Sequence, residues 1–207
     1  MVRLIAGFGQ CSGFGYPENG PILIHYPSPP PGGLHVEARH ADGVKQINET
    51  FLMNVKPIPD GYASVTPYLI IQGAADAIEF YKNVFGATER MRLPRPDGKV
   101  AHAEIEIGGS VIMLADECPE RGAKSPQTIG GTPVCLHLYV ENADEVFADA
   151  LAAGAQQIKP LENQFYGDRS GMFSDPFGHS WNVATHVEDV SPEELQTRMA
   201  EMSNSES

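Results

Sequence analysis

Between Ser64 and Thr185 the chain writes one series of elements twice, and this duplication constrains its fold more than any other feature. Residues Ser64–Ile71 read as a strand. Ala74–Phe85 reads as a helix, with Ala74, Ala77, Ile78, Tyr81, Val84 and Phe85 at helical spacing and a stop at Gly86. Three strand-like runs follow: Thr88–Leu93, then Val100–Ile107 after the turn Pro96-Asp97-Gly98, then Ser110–Leu114 after Gly108-Gly109. Beyond a stretch rich in Pro and Gly, the series starts again. Val134–Val140 is a strand, Ala143–Ala153 a helix ended by Gly154, and Gln156–Pro160, Arg169–Ser174 and His179–Thr185 are strands.

The residues repeat along with the elements. Ala75-Asp76 matches Ala143-Asp144, Ile78 matches Val146 and Gly86-Ala87 matches Gly154-Ala155, all at an offset of 68, while Gly109 matches Gly178 at 69. So long a period marks a duplicated module, not a solenoid repeat. The expected fold is α+β: two tandem βαβββ modules whose sheets pair edge to edge into one curved mixed sheet, with helices on its convex side and a cleft on its concave side. Residues 53–117 form the first module, 118–132 a linker, 133–187 the second module, and 188–207 an acidic C-terminal helix and tail. That last helix is well signalled, with Ser191 as N-cap, Pro192 at the first helical position and Glu194 completing a capping box. Its apolar stripe, Leu195 and Met199, suits docking on the domain or on a partner.

Gly and Pro supply 14 of the first 52 residues but only 24 of the remaining 155, so residues 1–52 read as a loop-rich extension with candidate hairpin strands Ile22–Tyr26 and Leu34–Arg39. Gly7-Phe8-Gly9 and Gly13-Phe14-Gly15 could suggest a phosphate loop, but they lack both a preceding strand and a GK[ST] ending, which favours the loop-rich reading. With 14 basic and 27 acidic residues the net charge is −13, which argues against nucleic acid or an anionic membrane surface as a partner. Three cysteines, Cys11, Cys118 and Cys135, are an odd number without paired spacing and suit a reducing compartment. No apolar run approaches the ~20 residues of a membrane span, and the N-terminal glycines interrupt any signal-peptide core, so a soluble cytoplasmic protein is expected.

In its motifs the chain resembles the vicinal oxygen chelate superfamily, in particular the PhnB-like glyoxalase/bleomycin-resistance branch. The resemblance runs from Val55 to about Met202. It rests on Thr66-Pro67-Tyr68-Leu69-Ile70 leading into Ala77-Ile78-Glu79-Phe80-Tyr81-Lys82, on Phe85-Gly86-Ala87, and on His102-Ala103-Glu104-Ile105. The runs His137-Leu138-Tyr139-Val140, Tyr166-Gly167-Asp168-Arg169-Ser170-Gly171 and Asp175-Pro176-Phe177-Gly178-His179 complete it. The extension lies outside that frame. Gly32-Gly33-Leu34-His35-Val36 makes it a candidate remnant of another such module, and Met53 falls where proteins of this branch begin. The resemblance also implies a homodimer.

Metal-using members hold a cation with two residues from each module, and carried over to this chain those positions are Thr66, Met113, Cys135 and Asn182, with both 66 to 135 and 113 to 182 spaced by 69. A hydroxyl, a thioether, a thiol and an amide replace the expected imidazoles and carboxylates, so no metal and no other cofactor is expected. Strand alternation places His102 and Glu104 in the cleft, and His137 shares a face with Cys135. Tyr68, Tyr139, Tyr166 and Arg169 are further cleft candidates. Arg169 either holds an anionic ligand or pairs with Asp168 or Asp175. Trp181 alternates against Asn182 and belongs to the core, and Asp175-Pro176-Phe177-Gly178 is a hairpin turn without chemistry. The function expected is binding of a small organic molecule in a metal-free cleft lined by Thr66, Tyr68, His102, Glu104, Met113, Cys135, His137, Tyr166, Arg169 and Asn182. The alternative is a metal-dependent glyoxalase-like lyase or isomerase, or a dioxygenase, using His102, Glu104 and His137. A third reading is a regulatory or structural dimer without a ligand.

Overall fold

The computed structural model describes residues 56–205. The extension expected over 1–52 and the module start at Met53 lie outside the described residues. The first module runs β1 (Tyr68–Ile71), α1 (Ala74–Phe85), β2 (Thr88–Pro94), β3 (Val100–Ile107) and β4 (Ser110–Asp116). After a 3-10 turn at Pro119–Arg121 and the short α2 (Pro126–Ile129) comes the second module: β5 (Cys135–Tyr139), α3 (Ala143–Ala152), β6 (Gln156–Asn163), β7 (Asp168–Ser174) and β8 (Ser180–His186). The C-terminal α4 (Pro192–Ser205) follows, its Glu194 amide donating to the Ser191 hydroxyl at 3.2 Å as its capping signal requires.

The two sheets have the same order, β1-β4-β3-β2 and β5-β8-β7-β6, with the first and last strands of each pair parallel and the others antiparallel. The repeat persists at the level of register. Tyr68 faces Met113 across β1 and β4, and 69 residues on, His137 faces Asn182 across β5 and β8. It persists in helix capping too. The Asp116 carboxylate accepts from the Gly73 and Ala74 amides at the start of α1, and the Thr185 hydroxyl accepts from the Ala143 amide at the start of α3. Each group satisfies a helix amide that has no partner within its own helix.

Two boundaries differ most from expectation. β1 starts at Tyr68, four residues later than alternation predicts, and β6 runs on through Pro160 to Asn163. β6 is the outer strand of its sheet and has register shifts on either side of Lys159, a setting that tolerates a proline.

The modules share one core. Leu69, Ile71, Ile105 and Leu114 of the first sheet and Phe173, Trp181 and Val183 of the second all turn toward the helices, and α1 packs against α3. Phe85 lies 4.6 Å from Trp181 and 6.3 Å from Phe173 between ring centroids, so α1 bridges its own sheet and the other. Trp181 is 2% exposed, in the core role that its alternation against Asn182 indicates. Each module thus contributes its own four-stranded sheet, and the two are joined through helices and helix-facing side chains. The opposite, open faces of the sheets turn outward from the shared core.

Candidate functional site

The register fixes which side chains share the open faces. On the first sheet Tyr68, Met113 and Glu104 stand side by side through the pairs Tyr68–Met113 and Glu104–Met113, with His102 two residues before Glu104 on the same face. The Tyr68 Oη lies 3.0 Å from His102 Nδ1, and His102 Nε2 lies 3.4 Å from Glu104 Oε1. Tyr62, from the segment entering β1, crosses this face and donates from its hydroxyl to Glu104 Oε2 at 2.5 Å. The Arg90 guanidinium sits 4.9 Å from the centre of the Tyr62 ring and holds it there. His102 and Glu104 are buried, at 6% and 5% exposure, while Tyr68 keeps 39%. Burial is what raises the Tyr68 phenol above its ordinary value.

On the second sheet Cys135, His137 and Tyr139 project from the edge strand β5 and are exposed. The Asn182 amide nitrogen lies 2.9 Å from His137 Nδ1. Beyond them Asp168, almost fully buried, accepts from Tyr139 Oη at 2.8 Å and binds His186 Nδ1 at 2.8 Å, and His186 Nε2 reaches Asp189 at 3.0 Å. Hydrogen bonds to Asp168 first and Asp189 second raise the His186 imidazole above its ordinary range. Tyr166 meets the Ser170 hydroxyl at 3.3 Å.

Nine of the ten cleft candidates therefore lie on or beside the open faces, but those faces belong to two sheets that turn away from each other. Tyr68, His102, Glu104 and Met113 are brought together, as are Cys135, His137 and Asn182. The two groups do not meet within one chain. Thr66 precedes β1 just after a bend, its hydroxyl donating to the Ala63 carbonyl at 3.1 Å. The register also makes Tyr68, not Thr66, the neighbour of Met113, and His137, not Cys135, the neighbour of Asn182.

Arg169 is a correction. It pairs with Thr185 on the helix-facing side, and its guanidinium forms two bonds to Asp144 of α3 at 2.6 and 2.7 Å, with neither Asp168 nor Asp175 as partner. Alternation explains this, since Arg169, Gly171 and the fully buried Phe173 must share a face. The Asp175 turn forms as expected, with the Gly178 amide on its carbonyl, and its buried carboxylate also joins the modules by accepting from Tyr81 Oη at 2.7 Å and Trp181 Nε1 at 3.0 Å. Among the described residues Cys135 is a free, exposed thiol. Sequence reasoning missed Tyr62, Asp168, His186 and Asp189. Only Asp168 carried a signal, since its alternation with Ser170 and Met172 puts it opposite Phe173.

The inherited ligand positions do not suit a divalent cation. Their donors are neutral, and Thr66 and Asn182 are already engaged. Both ring nitrogens of His102 are likewise occupied. Among the described residues, no three His, Cys, Asp or Glu side chains lie together as a metal site. A cleft of about 610 Å³ lies elsewhere, between the modules, and Phe85, Ile107, Leu138, Tyr139, Thr185 and His186 contribute to its lining. None of the ten candidates lines it. Among the described residues no helix is long and apolar enough to cross a membrane.

Comparison with known proteins places these features in context. Residues 63–183 match the sequence model of the Glyoxalase/Bleomycin resistance protein/Dioxygenase superfamily. Over 159 residues the chain is 42% identical to the uncharacterized protein Rv0887c of Mycobacterium tuberculosis, a match covering 75% of this chain and 90% of that protein. It is 29% identical over 140 residues to the protein YjdN of Escherichia coli K12, covering 58% of this chain and 92% of YjdN. The crystal structure of protein PA1353 from Pseudomonas aeruginosa superposes 99% of its chain on 61% of this one, with a TM-score of 0.52 and 26% identity.

Proposed function

The chain belongs to the Glyoxalase/Bleomycin resistance protein/Dioxygenase superfamily, and we propose that it binds a small organic molecule without a divalent cation, in a cleft completed by a second copy of itself. The donor set carries this reading. Thr66, Met113, Cys135 and Asn182 offer a cation at most one anionic ligand, and partial desolvation, the leading cause, raises the Cys135 thiol above its ordinary value although the side chain is exposed. These side chains suit hydrogen bonding and van der Waals contact with an organic ligand, and the half-exposed Tyr68 adds an aromatic surface.

The second copy follows from where the faces point. The first-module face carries a buried polar cluster, while the second-module face leaves Cys135, His137 and Tyr139 uncovered on an edge strand. A two-fold pairing that sets the first-module face of one copy against the second-module face of the other would cover that edge and close two equivalent clefts. The lyase or dioxygenase alternative has less support, because His102 and Glu104 bond each other on one module and His137 lies on the other.

A thermal-shift screen of small metabolites and antibiotics tests the binding. A ligand at a hundred times its Kd should stabilise the protein by about 2.7 kcal/mol. Tyr68→Phe and His137→Ala should each reduce that shift. Light scattering should return twice the chain mass of 22.4 kDa, and a mass near 22.4 kDa at micromolar concentration would rule out the shared cleft.

A further inference from the structure

We infer that the cleft between the modules is a second binding site, apart from the open sheet faces, and that it takes a small organic ammonium ion with an aromatic or branched apolar body. The cleft measures about 610 Å³, inside the ~300–1,000 Å³ range of small-molecule sites. Both modules build it, and they do so from the ends of their elements. Phe85 closes α1, Ile107 ends β3, Tyr139 ends β5 and His186 ends β8. Its walls are apolar. Phe85, Leu138 and Val140 pack against the shared core yet stay only partly buried, so each leaves hydrocarbon for a ligand ring to cover.

Charge decides the sign of the ligand. Glu141, directly after Val140, lines the cleft with an exposed carboxylate that has no ion pair or hydrogen bond among the described residues. No lysine or arginine among the described residues lines the cleft. Its one basic ring, His186, is held between Asp168 at 2.8 Å and Asp189 at 3.0 Å. Three carboxylates therefore stand at or beside the cleft against a single imidazole, and the field there is negative even when that imidazole is protonated. A bound carboxylate would meet Glu141 without any cation to offset it, whereas an ammonium neutralises it. Tyr139 supplies a second attraction. Its hydroxyl is turned to Asp168 while the side chain stays 59% exposed, which leaves ring surface for a cation to rest on.

The test uses the full chain, isothermal titration at low salt and three probes with one phenyl body: 2-phenylethylammonium, 2-phenylethanol and 3-phenylpropanoate. The ammonium should bind with a Kd of about 1 mM or tighter. It should bind at least ~5-fold tighter than the neutral alcohol, and the carboxylate should bind weakest. Glu141 is exposed, so Glu141→Gln should fold normally, remove most of the ammonium's advantage and leave the alcohol as it was. Glu162→Gln makes the same change of charge on β6, at the far edge of the second sheet from β5, and should leave all three affinities unaltered. Equal affinity for the three probes, an ammonium preference that survives Glu141→Gln, or no ammonium binding at about 10 mM would each overturn the inference. Binding that emerges only on dilution to the monomer would show a second copy filling the cleft, and would overturn it as well. None of the ten face candidates lines this cleft, so its failure leaves the reading of the sheet faces standing.

Discussion

Replacing Asp175 with alanine should uncouple the two modules. The carboxylate accepts four hydrogen bonds: Tyr81 Oη at 2.7 Å and Trp181 Nε1 at 3.0 Å on one oxygen, and the Phe177 and His179 amides, each at 2.9 Å, on the other. Water can reach the Phe177 amide once the side chain is gone, because Phe177 is only partly buried. Tyr81 and Trp181 are different, at 0% and 2% exposure, and their donors would be stranded. Each orphaned buried donor costs about 1–3 kcal/mol, so Asp175→Ala should lose about 4 kcal/mol, a large part of the 5–15 kcal/mol that typically holds a domain together. Trp181 is the only tryptophan in the chain, which makes its fluorescence during urea unfolding a direct probe. A double-mutant cycle sharpens the test. Tyr81→Phe should cost about 1.5–3 kcal/mol with Asp175 present and nothing, or less than nothing, in its absence, since it then removes an orphan. A loss below ~1 kcal/mol for Asp175→Ala, or equal costs of Tyr81→Phe in the two backgrounds, would refute the reasoning.

Other outcomes follow from single contacts. The raised His186 imidazole stabilises the fold fully below its ordinary value of 6.5 and loses that contribution as pH rises through its folded value; the melting-temperature gap between the protein and His186→Gln should therefore be wide at acidic pH and close on the alkaline side. Arg169→Ala removes an exposed pair with Asp144 and should leave any ligand-induced thermal shift unchanged, in contrast to Tyr68→Phe. Gly167 has φ 98° and a β-carbon there would run into the Glu188 carbonyl, so Gly167→Ala should cost at least about 2 kcal/mol in urea unfolding.

The duplicated module was legible because hydrophobic period and glycine stops act locally, and both survive in each copy. Trp181 and the His102–Glu104 face could be read for the same reason, strand alternation being a two-residue rule. Arg169 was legible by that rule and misplaced by its motif. What the sequence withheld is tertiary. Asp116 and Thr185 cap equivalent helices with different chemistry, so matching residues could not reveal a shared task. Tyr62 lies in an irregular segment, where no period tells which face it will cover. The mutual placement of the modules was hidden most deeply, because a helix-bearing sheet can bury the same apolar residues whether two such units meet by their edges or through their helices. That choice decides whether one chain encloses the cleft or two must share it.

The metal content of the purified, dialysed protein tests the central claim most directly. Neutral donors at Thr66, Met113, Cys135 and Asn182, together with a His102 whose ring nitrogens are both engaged, predict zinc, nickel and manganese far below one equivalent per chain, unchanged by Cys135→Ala. One equivalent of any of these metals, lost on His102→Ala or His137→Ala, would contradict the account and place the chain among the metal-using members of its superfamily.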